Sequence, residues 1–355
     1  MAKVAKNSIG WDIGGAHLKA VQIDARGSVL AVSQVYCPLW RGLPELDRAI
    51  DEVLSILRLE SYATSHFVTM TGELADIFPN RHAGVVQIAH FVAQKFSGNI
   101  MFYAGYDGFV PAGEVGAHAV SIASMNWLAS VQYLAHNKSQ ALFLDIGSTT
   151  TDIALILEGK PCVLGFTDAM RLQTDELVYS GVVRTPLMAI AQKIAFAGHI
   201  VNVTAEHFAT TADVYTLTGD LACTKNSAET SDGADKSVEA CARRIARMIG
   251  WDAQDAPLPA WRNLAHAFKN AQLTQIKQAM LRKIALLEDH SDLCVVGAGA
   301  GDFLVATLAQ ELGLKYASIA QFIVVAQAAK NTDEAITMAA LCFPAYAVAC
   351  LGVVA

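Results

Sequence analysis

The triplet Asp-Ile-Gly occurs twice, and its surroundings repeat with it. "IGWDIGGAHLKAVQI" near the start and "LFLDIGSTTTDIAL" at 142–155 align Asp12 with Asp145, Ile13 with Ile146 and Gly14 with Gly147. The copies stand 133 positions apart in a chain of 355 residues. That spacing is far too long for a solenoid repeat and matches one domain, so the chain reads as a duplicated lobe. In each copy an acid, a glycine and further small or hydroxyl residues interrupt two apolar runs. This is the pattern of a strand, a tight turn and a returning strand.

Element order extends the repeat. Strands are expected at Ser8–Ile13, Leu18–Asp24 and Ser28–Tyr36, with Ala25-Arg26-Gly27 as a turn. Leu46, Ile50, Val53, Leu54 and Leu57 give 43–59 a helical period, and Pro44 suits its first turn. A strand at His66–Met70, a helix at Arg81–Phe96, a strand at Asn99–Ala104 and a helix over Gly116–Ala135 complete the first half. The second half restarts with strands at Ala141–Ile146, Thr151–Leu157 and Pro161–Phe166. An insertion over about 167–290 follows, with an amphipathic helix near Leu264–Leu287 and a polar stretch, "CTKNSAETSDGADKS" (223–237), that reads as a mobile loop. "LCVVGAGAGDFLVATLAQEL" then supplies strand, glycine turn and helix.

Two runs of β-β-β-α-β-α-β-α predict an α/β chain with a duplicated ribonuclease-H-like fold, the arrangement of the actin-like ATPases. The expected lobes are 1–137 and 138–355, with a central cleft and the insertion in the second lobe. Asp12 and Asp145 are expected to face one another across that cleft.

Composition excludes several classes. The chain is 53% hydrophobic and 17% charged, so extended disorder is not expected. A net charge of −7 argues against a sequence-independent nucleic-acid binder. The seven cysteines are scattered, without a CxxC pair or zinc spacing, as in a reduced cytoplasmic protein. The N-terminus reaches an acid before any long apolar run, so no secretory signal is expected. Residues 335–355 carry no charge, but Ala, Cys, Gly and Thr dominate them and Pro344 interrupts them. A buried helix of the second lobe or hinge, kinked by Pro344 or with Pro344 near a helix start, is therefore expected there rather than a membrane span.

Three glycine turns carry the candidate chemistry. Backbone N–H groups approach phosphate oxygens best where no Cβ intervenes, hydroxyls add donors, and an acid at the strand end holds Mg²⁺, usually through water. Asp12, Gly14, Gly15 and Lys19 fit one such turn; Asp145, Gly147, Ser148, Thr149, Thr150 and Asp152 fit the second. Gly297, Gly299 and Gly301 form the third, after a buried strand and before a helix. No β-α-β unit with a following ribose acid surrounds it, so it is not a Rossmann fingerprint. Glu73 stands at the matching place of the first lobe, beside the cleft or exposed in a turn. Arg184, in an apolar segment, calls for a carboxylate or phosphate partner. His17 reads as a surface or packed residue, and "SDGADKS" lacks the ligand spacing of an EF-hand.

WDIGGAHLKA (11–20), TMTGELAD (69–76), DIGSTTTDI (145–153), YSGVVRTPL (179–187), ADVYTLTGDL (212–221) and VVGAGAGDFL (295–304) together resemble the hydantoinase A/oxoprolinase-related branch of this fold. Within it the chain looks most like proteins linked to tetrahydromethanopterin C1 transfer. That resemblance implies a cytoplasmic enzyme of methanofuran-type cofactor biosynthesis. Such an enzyme joins the phenol of a γ-glutamyltyramine to a furanylmethyl diphosphate and releases diphosphate. It would make Mg²⁺, near Asp12 and Asp145, the expected cofactor, with Lys19 and Arg184 as diphosphate contacts and Glu73 or Asp152 as the base. The implied partners are a small-molecule diphosphate and a phenolic amine, with no nucleic acid and no membrane; assembly into a homo-oligomer stays open. The aromatic residues Phe166, Tyr179, Phe196, Phe208 and Tyr215 suit a flat furan or phenol. An ATP-dependent small-molecule kinase or amidohydrolase, or a non-catalytic nucleotide-binding protein, stays open, because the same turns hold ATP.

Overall fold

A computed structural model describes residues 7–58, 65–221, 229–327 and 331–355. The chain runs β1 (Ser8–Ile13), β2 (His17–Ile23), β3 (Val29–Tyr36), α1 (Leu43–Leu57), β4 (Ser65–Met70), α2 (Arg81–Lys95), β5 (Asn99–Tyr103), β6 (Phe109–Pro111), α3 (Ala119–Ile122) and α4 (Asn126–Ala135). It restarts with β7 (Ala141–Ile146), β8 (Thr151–Leu157) and β9 (Lys160–Cys162). The insertion holds α5 (Asp168–Gln173), β10 (Leu177–Val178), α6 (Leu187–Ile190), β11 (Lys193–Phe196), β12 (His199–Asn202), α7 (Thr211–Thr218), α8 (Val238–Arg247) and α9 (Leu258–Ile284). Last come β13 (Cys294–Ala298), α10 (Asp302–Glu311), β14 (Lys315–Ser318), α11 (Thr332–Leu341) and α12 (Phe343–Val354).

Strand order bears out the duplication. One sheet runs β3-β2-β1-β4-β5-β6 and the other β10-β8-β7-β13-β14, with β9 also pairing β8. In each, an antiparallel hairpin lies beside a parallel crossover strand: β1 pairs β2 antiparallel and β4 parallel, and β7 pairs β13 parallel. This is the ribonuclease-H-like order in two copies. The third strand of the second copy is reduced. Lys160–Cys162 replaces the expected Pro161–Phe166, and Leu164 and Phe166 are exposed rather than alternating into a core.

The unit boundaries differ from the expected 1–137 and 138–355. One compact unit comprises residues up to Gln140 with Ile156–Asp168 and Ser318–Ala355; the other comprises Ala141–Leu155 and Ala169–Ala317. The C-terminal segment therefore belongs to the first unit, not the second. Its physical cause is the packing of α12 against β1, β2, β4 and α4. A Cβ on Gly10 of β1 would lie 1.8 Å from the carbonyl oxygen of Ala345, so only a bare backbone admits that helix. The segment breaks near Pro344, as expected. It bends by 93° between α11 and α12, and Pro344 stands in the first turn of α12, where its missing N–H goes unnoticed. Among the described residues no single helix is long and apolar enough to cross a membrane.

The expected helix over 116–135 is likewise divided. Ser124, between α3 and α4, takes a left-handed φ of +55°, which no helix interior tolerates. In the polar stretch 223–237, Cys223 and its neighbours to residue 228 lie outside the described residues. From Glu229 onward the stretch is tied down: Ser231 Oγ donates to the Phe208 carbonyl, Asp232 pairs with the buried Arg244 at 3.1 Å, and Ser237 caps α8.

The fit at Gly10 gives a stability prediction. Gly10→Ala overpacks the β1–α12 contact and is expected to cost about 3 kcal/mol, near the top of the usual range for such changes. Urea unfolding checks this. A loss below about 0.5 kcal/mol would show that α12 is not held by the close approach at Gly10.

Candidate anion site

The two Asp-Ile-Gly turns are built alike. Gly14 N–H donates to the His17 carbonyl at 3.0 Å, and Gly147 N–H donates to that of Thr150 at 2.8 Å. The isoleucine carbonyl before each glycine accepts from the turn that follows the parallel neighbour strand. Thr71 N–H reaches Ile13 O at 3.0 Å, and Gly301 N–H reaches Ile146 O at 2.8 Å. The first and second halves therefore share hydrogen bonds as well as sequence.

Each turn's carbonyls are tied back into its own unit. In the first unit Leu39 and Cys37 donate to the carbonyls of Gly15 and Ala16. In the second, Val182 N–H reaches Gly147 O at 3.0 Å, while Val183 and Arg184 reach Ser148 O at 3.0 and 2.8 Å. Among the described residues, the N–H groups of Gly15, Ala16, Ser148 and Thr149 donate to no protein acceptor. With its carbonyls taken up and its amides unclaimed, such a turn has the donor arrangement of an anion-binding nest. The half-buried hydroxyls of Ser148 and Thr149, 3.4 Å apart, add donors at the second turn.

Two expected segments meet that second turn. A Cβ on Gly181 of YSGVVRTPL would lie 2.5 Å from Thr149 N and 2.6 Å from Gly147 O, so the segment lies directly on the turn. Arg184 is carried to its edge and is exposed. From the other side comes the third glycine turn. Gly299 has φ +79°, and a Cβ there would lie 2.3 Å from Asp145 Oδ1 and 2.5 Å from Ile146 O. Both its conformation and its position require glycine. Asp145, Gly147, Ser148, Thr149, Arg184, Gly299 and Gly301 are thus gathered in the second unit. Gly297 packs instead on Asp302 and Val305 inside that unit.

In the first unit Asp12 is 3% exposed. Lys19, its partner in the β1–β2 register, places Nζ 3.7 Å from Asp12 Oδ2, and Asn126 Nδ2 lies 3.4 Å from Oδ1. Sequence reasoning missed Asn126. Its only signal is its place at the start of α4, and nothing local ties it to a residue 114 positions away. Gly15 faces open space, whereas a Cβ on Gly14 would lie 3.0 Å from His17 O.

Neither candidate base is an open carboxylate. Glu73 is 1% exposed, which removes the exposed-turn reading; its Oε1 accepts from Ser124 Oγ at 2.7 Å, and Oε2 has no hydrogen-bond partner among the described residues. Burial outweighs the Ser124 bond and pushes this carboxyl up to about 7. Asp152 accepts from the buried Arg171 at 2.7 Å, and Arg171 also holds the Glu176 carbonyl. Of the aromatic candidates, Phe196 stacks on Trp261 and Tyr215 is buried, so both serve the core; Tyr179 and Phe166 are exposed.

Among the described residues no three His, Cys, Asp or Glu side chains are grouped to hold a metal ion. Single carboxylates beside open amides fit a Mg²⁺ that arrives on phosphate oxygens, since that ion needs only one or two protein carboxylates.

The hydantoinase/oxoprolinase family model matches residues 65–330. A Methanocaldococcus jannaschii protein named (4-{4-[2-(gamma-L-glutamylamino)ethyl]phenoxymethyl}furan-2-yl)methanamine synthase is 29% identical over 292 residues, 82% of this chain and 86% of the relative. A Methanococcus vannielii protein of the same name is 42% identical over 97 residues, 27% of this chain and 43% of the relative. Among solved structures, nucleotide-free acetone carboxylase matches with a TM-score of 0.55 at 10% identity, over 87% of this chain and 68% of that one, a likeness of fold.

Two predictions test the site's construction. Gly181→Ala drives a methyl into the turn and should cost about 1–3 kcal/mol, whereas Gly15→Ala enters open space and should cost under about 0.5 kcal/mol. Equal losses in denaturant titrations would contradict the geometry. Glu73 predicts a pH slope. Its folded carboxyl keeps the proton to about 7, whereas the unfolded one releases it near 4.5. Between those values the folded state binds more protons, so stability falls as pH rises through the window, by roughly 3 kcal/mol in all. Unfolding measured from pH 5 to 8 should show that decline, and Glu73→Gln should flatten it.

Proposed function

This chain belongs to the hydantoinase/oxoprolinase family, and we propose that it is a transferase that makes a phenoxymethylfuran. In this reading a furanylmethyl diphosphate binds with Mg²⁺ at the second unit's turns, and the phenol oxygen of a γ-glutamyltyramine-type amine displaces the diphosphate. The observation that carries the reading is the likeness, along 82% of the chain, to a synthase whose named product is such an ether. The open amides of Ser148 and Thr149 support the anionic half of the substrate, because a departing diphosphate gathers negative charge where those dipoles point.

The reaction balances without an oxidant. The phenol oxygen forms a bond to the furanyl CH₂, the CH₂–O bond to diphosphate breaks, and the diphosphate leaves with the electron pair. The furan ring supports positive charge on that carbon, so departure leads and attack follows. The phenolic proton then passes to the released diphosphate or to solvent. Asp145 would hold Mg²⁺, which would neutralise charge on the diphosphate, and Ser148, Thr149, Thr150 and Arg184 would hold the diphosphate oxygens. Asp12 and Lys19 offer a second acid–cation pair of the kind that binds a metal-bound phosphate. Glu73, buried on Ser124, serves its turn rather than the substrate, and Asp152 is engaged by Arg171.

The decisive assay incubates purified protein and Mg²⁺ either with ATP or with a furanylmethyl diphosphate plus a tyramine derivative. Diphosphate release that depends on the amine, with ether formation by mass spectrometry, is expected. ATP hydrolysis or transfer without that release would replace this reading by the kinase or amidohydrolase one. Asp145→Asn keeps the shape but removes the charge, so turnover should fall by about 100-fold or more while the melting temperature stays within a few degrees. Full activity, or a large drop in melting temperature, would make the acid structural.

A further inference from the structure

The long helix α9 reaches the second turn through one buried amide. Gln272 is fully buried among apolar neighbours on that helix, including Phe268, Leu273 and Ile276. Its Nε2 donates to Ser180 Oγ at 2.8 Å and to the Gly181 carbonyl at 2.9 Å, and its Oε1 accepts from the Tyr215 hydroxyl at 2.5 Å. A carbonyl only accepts, so the amide nitrogen must face Gly181 and the oxygen must face Tyr215. Burial raises the phenol's pKa, so Tyr215 stays protonated and keeps donating.

The segment so held is the one that lies on the turn. Thr151 Oγ1 donates to Ser180 O at 2.6 Å, and Gly181 N–H donates to Thr185 Oγ1 at 2.8 Å. Immediately after Gly181, the N–H groups of Val182, Val183 and Arg184 take up the carbonyls of Gly147 and Ser148. An amide in an apolar helix face is costly unless every polar atom is matched, and a leucine would fill the space without that risk. Here both the donor and the acceptor side are matched, and the matched partners lead to the anion turn.

We propose that Gln272 is a positioning residue: oriented by Tyr215, it fixes Ser180–Arg184 and through them the unclaimed amides of Ser148 and Thr149 that receive the diphosphate. The proposal rests on the phosphate reading of that turn. It also gives a role to Tyr215 of ADVYTLTGDL, as an orienting hydroxyl rather than a ring for the furan.

The test compares Gln272→Met, Tyr215→Phe and the control Ile276→Val, which trims the same helix without touching Ser180. Two readouts are taken: amide hydrogen exchange at Val182, Val183 and Arg184, and calorimetric titration with Mg²⁺ plus inorganic diphosphate. Gln272→Met should speed exchange at those three amides and weaken Mg-diphosphate binding about tenfold, the worth of one or two hydrogen bonds. Tyr215→Phe should give a smaller change of the same kind, and remains a test if Gln272→Met fails to fold. The control should leave binding within about twofold. Exchange no faster than in the control, or unchanged diphosphate affinity despite faster exchange, would overturn the positioning role. A wild-type protein that does not bind Mg-diphosphate would instead sink the phosphate reading, and exchange alone would then decide whether Gln272 holds the segment.

Discussion

The carbonyl oxygens of Gly147 and Ser148 accept three N–H groups from Val182, Val183 and Arg184. A turn in a half-buried position must place its carbonyls somewhere, because a buried and unmatched one costs as much as a lost hydrogen bond. Taking them up from within leaves the N–H groups of the same peptides, those of Ser148 and Thr149, without a protein acceptor among the described residues. Gly181 makes this approach feasible, since any Cβ there would collide with Thr149 and Gly147. The candidate anion site of the second unit therefore starts from a backbone contact and not from a charged side chain. Hydroxyls, Asp145 and Arg184 are then arranged around a dipole pattern already in place.

The first unit solves the same problem with different material. Cys37 and Leu39, just past β3, serve the carbonyls of its turn, and Gly72 lies so close that a Cβ would come within 3.0 Å of Ile13 O. Where the second unit sets Asp145 against the Gly299 turn, the first has a buried Asp12 with a lysine and an asparagine beside it. Glu73 and the left-handed Ser124 form a buried polar contact two residues before that asparagine. The left-handed backbone at Ser124 is held beside the Glu73 bond that its hydroxyl makes. The duplication thus conserves the backbone plan while the side chains diverge.

Small residues decide where the C-terminus goes. Gly10 on β1 and the Ala-rich face of α12 let a helix lie closer to a central strand than larger side chains permit. Gly352 meets the Phe67 ring in the same manner. Residues 342–350 of the uncharged stretch are consequently buried, with Pro344 starting a new helix after a sharp bend.

Much of this was legible in the residues. Short apolar runs and a 3.6 period placed β1, β7, β8 and α1 within a residue or two, because those strands are buried on both faces and that helix on one. The Asp-Ile-Gly repeat disclosed the duplication and the two turns, since glycine and hydroxyl residues interrupt apolar strands for few other reasons. What the sequence could not disclose was nonlocal. That Gly181 lies on Thr149, that Asn126 meets Asp12 and that the last helix joins the first unit depend on contacts between segments tens to hundreds of positions apart. No local preference encodes such a contact; it emerges when backbone groups left over from each element find their hydrogen-bond partners in the packed chain. By itself the sequence determined which segments could be strands, helices and anion turns. Only the tertiary structure decided which amides stay open, because that depends on which carbonyls the rest of the fold has taken.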